Sequence, residues 1–203
     1  YACRLFVSAR FPHLALYWGN MLAESQDPPD CITYCIPEWP SRHIYVFPEC
    51  ADNPYGFPVT FILGSDYAGE LKMSFLRQFM YSEKRHGDRL AMHSASKVVL
   101  NKGVLILGLS GTGKSSLTAH DHGLSPGEVT VRQDDIVALT MENCALGTEQ
   151  NLYIKTEGLS STNNPALYNA ALSPHSLLEN AAVRLDGTID FTDTSLSSNA
   201  RAV

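Results

Sequence analysis

The sequence has little basic charge, no long hydrophobic run and no regular array of cysteines. Its 203 residues include 15 Lys and Arg against 21 Asp and Glu, for a net charge of −6. This balance argues against nonspecific binding along a nucleic-acid backbone, because such binding needs a basic face. The longest apolar stretches, at 59–63 and 103–109, are far shorter than the roughly 20 residues of a membrane-spanning helix. We therefore expect neither a nucleic-acid partner nor a membrane span.

The five cysteines are irregularly spaced. Cys31 and Cys35 lie in CITYC, and no second pair of Cys or His follows at a zinc-like distance, so we expect no zinc site. We predict that all five are reduced and mostly buried thiols, as in an intracellular protein. The chain begins at Tyr1 and has no signal-peptide pattern, so we expect either a processed protein or an interior piece of a longer one.

The composition, with 44% hydrophobic and 18% charged residues, is typical of a globular protein with one sizeable domain or two small ones. Apolar runs predict strands at 2–9, 31–36 and 59–63, and a first helix that starts near Pro12. Three prolines and a glycine within 47–58 predict an irregular segment.

The clearest helix is predicted over 68–81, where apolar residues recur every four positions from Leu71. Gly87 is a suitable residue to end it. The rest of the chain is mainly strand-like, and Asp186-Gly187 predicts a hairpin turn. Strands are expected within 89–96, 103–109, 128–135, 151–156, 181–185 and 188–191. These patterns predict a mixed α/β fold.

A phosphate-binding motif overlaps the end of the strand at 103–109. Gly108, Gly113, Lys114 and Ser115 satisfy G-x-x-x-x-G-K-[ST], with an apolar strand before the loop and the helix-forming segment SSLTA after it. Glycines let successive backbone N–H groups curve around phosphate oxygens, the lysine reaches the terminal phosphates, and the serine hydroxyl can ligate a divalent cation. The predicted nucleotide-binding residues are Gly108, Ser110, Gly111, Thr112, Gly113, Lys114 and Ser115. The alternative is a glycine-rich turn that matches the pattern by chance.

Two adjacent carboxylates are candidate metal ligands. Asp134 and Asp135 end the predicted strand at 128–135, where a phosphate-binding loop needs an acidic partner for its cation. Adjacent carboxylates repel each other unless a cation lies close. The alternative for these carboxylates is a solvated acidic turn. His93 lies on an apolar predicted strand, and taken by itself it is interpreted as a hydrogen-bonded core histidine.

A specific set of short segments extends along the chain. They are YAGELK (67–72), AMHSAS (91–96), LGLSGTGKSSLTA (107–119), QDD (133–135), LYIKT (152–156), ALYNA (166–170), LLENAAVRLDGTIDF (177–191) and SNARAV (198–203). In this order and at nearly this spacing, the segments resemble the ATP-dependent phosphoenolpyruvate carboxykinase family. The resemblance covers most of this chain but less than half of a family enzyme.

The resemblance implies both a fold and a reaction. The fold is α/β, with mixed twisted sheets and a P-loop. Residues 1–66 are a divergent N-terminal portion, 67–203 are the nucleotide- and metal-binding portion, and the family's C-terminal adenine-binding domain is absent. The reaction converts oxaloacetate and ATP into phosphoenolpyruvate, ADP and CO₂, with Mg²⁺ on the nucleotide and Mn²⁺ in the substrate site. The family's default compartment is the cytoplasm, and a mitochondrion or another organelle after processing is the alternative.

The resemblance also implies roles for particular side chains around the metals. His93 and Asp135 would bind Mn²⁺, and Ser115 would bind Mg²⁺. Asp134 would support the metals through water, and Lys114 would bind the β- and γ-phosphates.

Three further residues would act on the substrates, again by resemblance. Lys155 would neutralise the transferring phosphoryl group, Arg201 would bridge the nucleotide and oxaloacetate, and Tyr67 would line the substrate pocket.

The chain departs from the family at the metal ligands. The family has a second lysine, which ligates Mn²⁺ as a neutral amine, where this chain has Met73, and a thioether is a poor ligand for a hard cation. Lys72 is the candidate catalytic substitute, although neighbouring positions on a helix point about 100° apart. After the two aspartates, Ile136 and Val137 replace a family Glu and His. Both changes favour weakened or absent decarboxylase chemistry.

Three hypotheses follow from the sequence. The first is a phosphoenolpyruvate carboxykinase, as an incomplete or divergent chain. The second is a catalytically degenerate family member that serves as a structural or assembly subunit, with protein partners covering apolar residues such as Trp18, Trp39 and Phe57. The third is another P-loop phosphotransferase that resembles the HPr kinase group, although the YAGE and DGTIDF segments count against it.

Overall fold

The computed structural model describes residues 1–87, 89–109, 112–125 and 127–203. They form two compact units: unit 1 is Tyr1–Met92 with Ala138–Gln150, and unit 2 is His93–Val137 with Asn151–Val203. The division at residue 66 that the resemblance implies stays a prediction about the domains of the whole protein. Within the described part of the chain, no helix is both long enough and apolar enough to cross a membrane.

The chain has several sheets and few helices, which confirms the predicted mixed α/β class. In chain order the elements are β1 (Cys3–Val7), α1 (Pro12–Met21), β2 (Cys31–Ile36), β3 (His43–Phe47), β4 (Val59–Leu63), α2 (Ala68–His86), β5 (Arg89–Val99), β6 (Lys102–Leu107), α3 (Lys114–Ala119), β7 (Val129–Gln133), β8 (Ile136–Thr140), β9 (Ala145–Gly147), β10 (Ile154–Lys155), α4 (Pro165–Ala171), β11 (Leu178–Glu179), β12 (Ala182–Val183), β13 (Ile189–Asp190) and β14 (Arg201–Ala202).

Unit 1 is built on a sheet with strand order β1-β2-β4-β3, in which only β3 runs antiparallel to its neighbour. Side chains alternate along β2, so that Cys31, Thr33 and Cys35 are buried on one face. Helix α2 packs on this face, where the hydroxyl oxygens of Thr33 and Ser74 lie 2.8 Å apart. Gln78 Nε2 donates to the first carbonyl oxygen of β4 at 3.3 Å. These hydrogen bonds satisfy polar groups that the packing of α2 removes from water.

Helix α2 confirms the clearest prediction and extends it. It starts at Ala68 and continues beyond the predicted end to His86. Gly87 has a φ of +78° and donates its N–H to the carbonyl oxygen of Glu83 at 2.9 Å, which is the left-handed C-cap that favours glycine. The three basic residues at 84–86 favour the extension, because cations stabilise the negative end of the helix dipole.

Unit 2 contains short antiparallel pairings. β5 pairs with both β6 and β7, β14 lies between β10 and β11, and β12 pairs with β13. A small apolar core joins β10, α4 and β14, and consists of Ile154, Ala171, Phe191 and Ala202. This core supports the face on which β10 and β14 carry two of the predicted site residues.

The turn at Asp186-Gly187 joins β12 to β13, as predicted. Gly187 has a φ of +84°, a region that glycine enters without steric cost. At the base of the hairpin, Nη2 of Arg184 lies 2.7 Å from Oδ2 of Asp190. Hydrogen bonds from the hydroxyl and backbone N–H of Thr192, together with Arg184, hold the pKa of Asp190 at about 2, below its ordinary 3.8.

Several elements are not predicted by the sequence patterns, among them β3, β8 and α4. β3 is an edge strand, and most of its residues are exposed. α4 begins with a recognisable cap, in which Asn164 Oδ1 accepts from the N–H of Leu167 at 3.4 Å and Pro165 occupies the first turn. β8 begins with Ile136 and Val137, which are both buried.

All five cysteines are free thiols, as predicted. The prediction that most of them are buried is wrong, because only Cys31 and Cys35 are. They lie on the inner face of β2, whereas Cys144 is exposed in the turn between β8 and β9.

Candidate active site

The predicted phosphate-binding loop joins β6 to α3 in unit 2. A Cβ atom at Gly108 would lie 2.7 Å from the hydroxyl oxygen of Thr112, too close for a larger residue without a local shift. That hydroxyl donates to the carbonyl oxygen of Leu109 at 2.7 Å. Gly113 precedes α3 with a φ of +89°, so the backbone itself favours glycine there, whereas Gly108 is crowded by the Thr112 side chain. The predicted binding residues that fall outside the described residues are Ser110 and Gly111.

The first two residues of α3 contact Asp134, which directly follows β7. Lys114 Nζ donates to the backbone carbonyl oxygen of Asp134, and Ser115 Oγ donates to its Oδ2 at 3.4 Å. Asp134 is buried, with 7% of its surface exposed. The ammonium and the hydroxyl predicted to bind a nucleotide and its cation therefore both contact Asp134, one at its backbone and the other at its carboxylate.

The two predicted Mn²⁺ ligands are also adjacent. His93 Nε2 lies 3.1 Å from Oδ1 of Asp135, and their side chains are 49% and 24% exposed. The backbone N–H of Ser94 donates to the carbonyl oxygen of Asp135 at 2.8 Å, which fixes β5 beside the residues that follow β7. An imidazole nitrogen with a carboxylate oxygen is a donor set that suits Mn²⁺. No group of three His, Cys, Asp or Glu side chains with metal-binding geometry occurs in the described part of the chain.

Lys155 and Arg201 are brought together by strand pairing. They lie directly opposite each other on β10 and β14, and Glu179 of β11 is the partner of Arg201 on its other side. Opposite residues of antiparallel strands project from the same face, so one carboxylate and two cations share it. Lys155 Nζ also forms an ion pair with Glu157.

Two residues that the sequence motifs do not identify as part of the site, Tyr153 and Asn199, hold Arg201 in place. The hydroxyl of Tyr153 donates to Oε2 of Glu179 at 2.6 Å, and the guanidinium carbon of Arg201 lies 5.5 Å from the centre of the Tyr153 ring. Arg201 Nη2 donates to Oδ1 of Asn199 at 2.7 Å. The position of Tyr153, two residues before Lys155, is the sequence signal that could have identified it, because alternate strand residues share a face.

The guanidinium of Arg201 has unused donor capacity. Its Nε is buried and finds no hydrogen-bond partner among the residues that the structure describes. A buried N–H without an acceptor is costly, which makes Arg201 a candidate for binding an additional acceptor.

Lys72 and Tyr67 lie in unit 1. Lys72 Nζ is buried and forms an ion pair with Oε1 of Glu149 at 3.0 Å. Tyr67 precedes α2, and its ring lies so close to Gly69 that a Cβ atom there would clash with it, which explains the glycine of the YAGE segment. The roles of both residues toward substrate and metal stay predictions. Met73 is half-buried on α2.

Comparison with known proteins finds one family. The family model for phosphoenolpyruvate carboxykinase matches residues 56–203. A relative from Aeropyrum pernix, named phosphoenolpyruvate carboxykinase (ATP), is 42% identical over 97% of this chain and 41% of its own length. A second, from Salinibacter ruber and named phosphoenolpyruvate carboxykinase (ATP) 2, is 31% identical over 94% of this chain and 37% of its own length. The Saccharomyces cerevisiae phosphoenolpyruvate carboxykinase (ATP) is 32% identical over 69% of this chain and 25% of its own length. The chain thus spans less than half of these relatives.

Proposed function

The chain belongs to the ATP-dependent phosphoenolpyruvate carboxykinase family, and from this premise we propose that it forms the nucleotide- and metal-binding part of an enzyme that converts oxaloacetate and ATP into phosphoenolpyruvate, ADP and CO₂. The observation that carries the proposal is the position of two consecutive carboxylates. Asp134 contacts Lys114 and Ser115, and Asp135 contacts His93. One dipeptide therefore links the candidate phosphate site to the candidate metal ligands.

The nucleotide would be held at the start of α3. Lys114 binds the β- and γ-phosphates in this proposal, because it is the lysine of the phosphate-binding motif and directly follows the loop. Ser115 ligates Mg²⁺ through its hydroxyl, and Asp134 supports that cation through water. The contacts that Lys114 makes with the backbone carbonyl of Asp134, and Ser115 with its carboxylate, support the assignment.

His93 and Asp135 would hold Mn²⁺. Their donor atoms are adjacent, and the partial exposure of both side chains leaves them accessible to a ligand from solvent. When bound, the two divalent cations supply positive charge that stabilises the enolate left by decarboxylation and the phosphoryl group as it is transferred.

Lys155 and Arg201 would supply the protein's own positive charge. The Lys155 ammonium neutralises the transferring phosphoryl group, and the Arg201 guanidinium bridges the nucleotide and oxaloacetate. Support comes from their shared strand face and from the buried Nε of Arg201, which needs an acceptor. Tyr67 lines the substrate pocket in the same proposal.

A second candidate function is a catalytically degenerate subunit that keeps the fold and binds other proteins. It is favoured by Lys72, whose ammonium is engaged by Glu149, and by Met73, whose thioether replaces a metal ligand. Ile136 and Val137 are buried where the family has an acidic residue and a histidine. Family membership excludes the third hypothesis, a phosphotransferase of the HPr kinase group.

The experiment that separates the two is oxaloacetate-dependent conversion of ATP into ADP with Mg²⁺ and Mn²⁺ present, on protein from the full-length gene. Turnover that needs oxaloacetate supports the carboxykinase. A folded protein that binds ATP but has no turnover supports the degenerate subunit.

Lys114→Ala tests the phosphate site directly, with Lys102→Ala, at an exposed position of β6, as the matched control. We expect ATP binding to be lost in the first variant and kept in the second, by calorimetry. Unchanged binding in Lys114→Ala would contradict the role of Lys114.

A further inference from the structure

Lys97 is a buried cation that the proposed function does not use. It lies on β5 in unit 2, and only 3% of its surface is exposed. Its Nζ donates to the carbonyl oxygens of Leu117 at 2.6 Å and His120 at 3.2 Å, and it lies 2.5 Å from Nε2 of His122. An ammonium has three N–H donors, and three acceptors surround this one. These contacts can therefore satisfy all three donors of the ammonium, although burial still lowers the pKa of Lys97.

These acceptors lie at and just beyond the C-terminal end of α3. The last carbonyl groups of a helix have no partner within it and carry the negative end of its dipole, so a cation there stabilises the helix. The opposite end of α3 begins with Lys114 and Ser115. Lys97 thus ties the helix that carries the proposed phosphate ligands to β5, the strand that also carries His93.

We propose that Lys97 is a positioning residue for nucleotide binding: it holds α3 so that Lys114 and Ser115 stay beside Asp134, and it needs neutral His122 as its third acceptor. The inference rests on the proposed function, because it assumes that the start of α3 binds the nucleotide phosphates. Lys97 itself touches neither nucleotide nor metal in this role. It acts through the backbone carbonyl groups of the helix.

His122 makes this arrangement sensitive to pH. Its Nε2 can accept a hydrogen bond only while the ring is neutral, and protonation would put a second cation against Lys97. Desolvation first, and then the charges of Lys97 and His120, lower the pKa of His122 from its ordinary 6.5, while Asp121 acts in the opposite direction. Because this pKa is depressed in the folded protein, the arrangement is complete above about pH 6.5 and is lost as the pH falls through the lower value.

The first test compares the Kd for MgATP of the full-length protein and three variants at pH 7.5, by calorimetry. Lys97→Met removes the ammonium, and Lys97→Arg keeps a cation with several donors. Lys102→Met makes the same change as the first variant at an exposed position of β6. We expect the Kd of Lys97→Met to rise about tenfold, equivalent to about 1.4 kcal/mol. Lys97→Arg should recover most of this loss, and Lys102→Met should match the wild type.

The outcomes separate this inference from the function on which it rests. A wild-type protein that does not bind MgATP refutes the proposed function and this inference with it. A wild type that binds, with a folded Lys97→Met variant within about twofold of it, refutes the inference alone.

His122→Gln provides a second test that does not depend on whether Lys97→Met folds. Glutamine keeps an acceptor for Lys97 but does not titrate. We expect the wild type to lose about fivefold more affinity for MgATP than this variant between pH 7.5 and 5.5. Protonation of the nucleotide itself affects the Kd of the wild type and of His122→Gln equally, so it cancels in the ratio of these two values at each pH. A ratio that does not change with pH would overturn the inference.

Discussion

Replacing Glu149 tests the buried ion pair of unit 1 and, with it, the role of Lys72. The side chains of Lys72 and Glu149 are only 3% and 1% exposed, and Nζ lies 3.0 Å from Oε1. Glu149→Gln preserves the size of the side chain but removes the charge that neutralises the ammonium. Removing one partner of a buried pair costs about 3–5 kcal/mol, because the remaining charge stays out of water. For a chain of this size, we expect the Tm to fall by about 6–20 °C.

Urea denaturation followed by circular dichroism measures this loss. A double variant, Lys72→Met with Glu149→Leu, should unfold within about 1 kcal/mol of the wild type, because apolar residues can replace a buried pair at little cost. Glu157→Gln is the control, because its ion pair with Lys155 is exposed and should contribute less than about 1 kcal/mol. A loss below about 1 kcal/mol for Glu149→Gln would refute the reasoning and leave Lys72 available for another role.

Three further predictions address the metal site, a turn and the response to acid. Met73→Lys should tighten Mn²⁺ binding in a metal titration, because it supplies the amine that the family resemblance implies at this position. Met80→Lys on the same helix should leave Mn²⁺ binding unchanged. Equal effects of the two substitutions would contradict a metal-ligand role for position 73. Gly187→Ala should lower the free energy of unfolding by about 1–2 kcal/mol, because Gly187 has a φ of +84°. Gly103→Ala should be nearly neutral, because φ is not positive there and no atom crowds the Cβ position. The denaturant midpoints of the two variants test this difference. The pKa of Asp190 is depressed to about 2, so its contribution to stability is complete above about pH 4 and is lost as the pH falls toward 2. Unfolding curves of Asp190→Asn should therefore depend less on pH in that range than those of the wild type.

Local sequence patterns determine much of the secondary structure of this protein. The four-residue apolar period predicts α2, and Gly87 ends it because only a glycine readily adopts its left-handed backbone. The same reasoning places the hairpin at Gly187 and requires glycine at Gly113. The edge strand β3 is the main failure, because an exposed strand lacks the alternation of buried and exposed residues on which the prediction depends.

The candidate site could be predicted only in part. His93 and Asp135 are adjacent in the structure, and Lys114 and Ser115 contact Asp134, whereas the roles of these residues stay predictions. These residues lie in segments specific enough to be recognised without knowledge of the packing. The alternative interpretation of His93 as a core histidine is wrong, because half of its side chain is exposed.

The sequence by itself therefore determined the family, the chemistry-bearing residue types and most local elements. Only the tertiary structure decided that the Tyr153 ring lies beside Arg201, that Glu149 engages Lys72, and that Lys97 ties the end of α3 to β5. Each of these contacts joins residues that are far apart in the chain. Strand register and helix packing select such partners, and both depend on the free energy of the whole fold rather than on a local pattern.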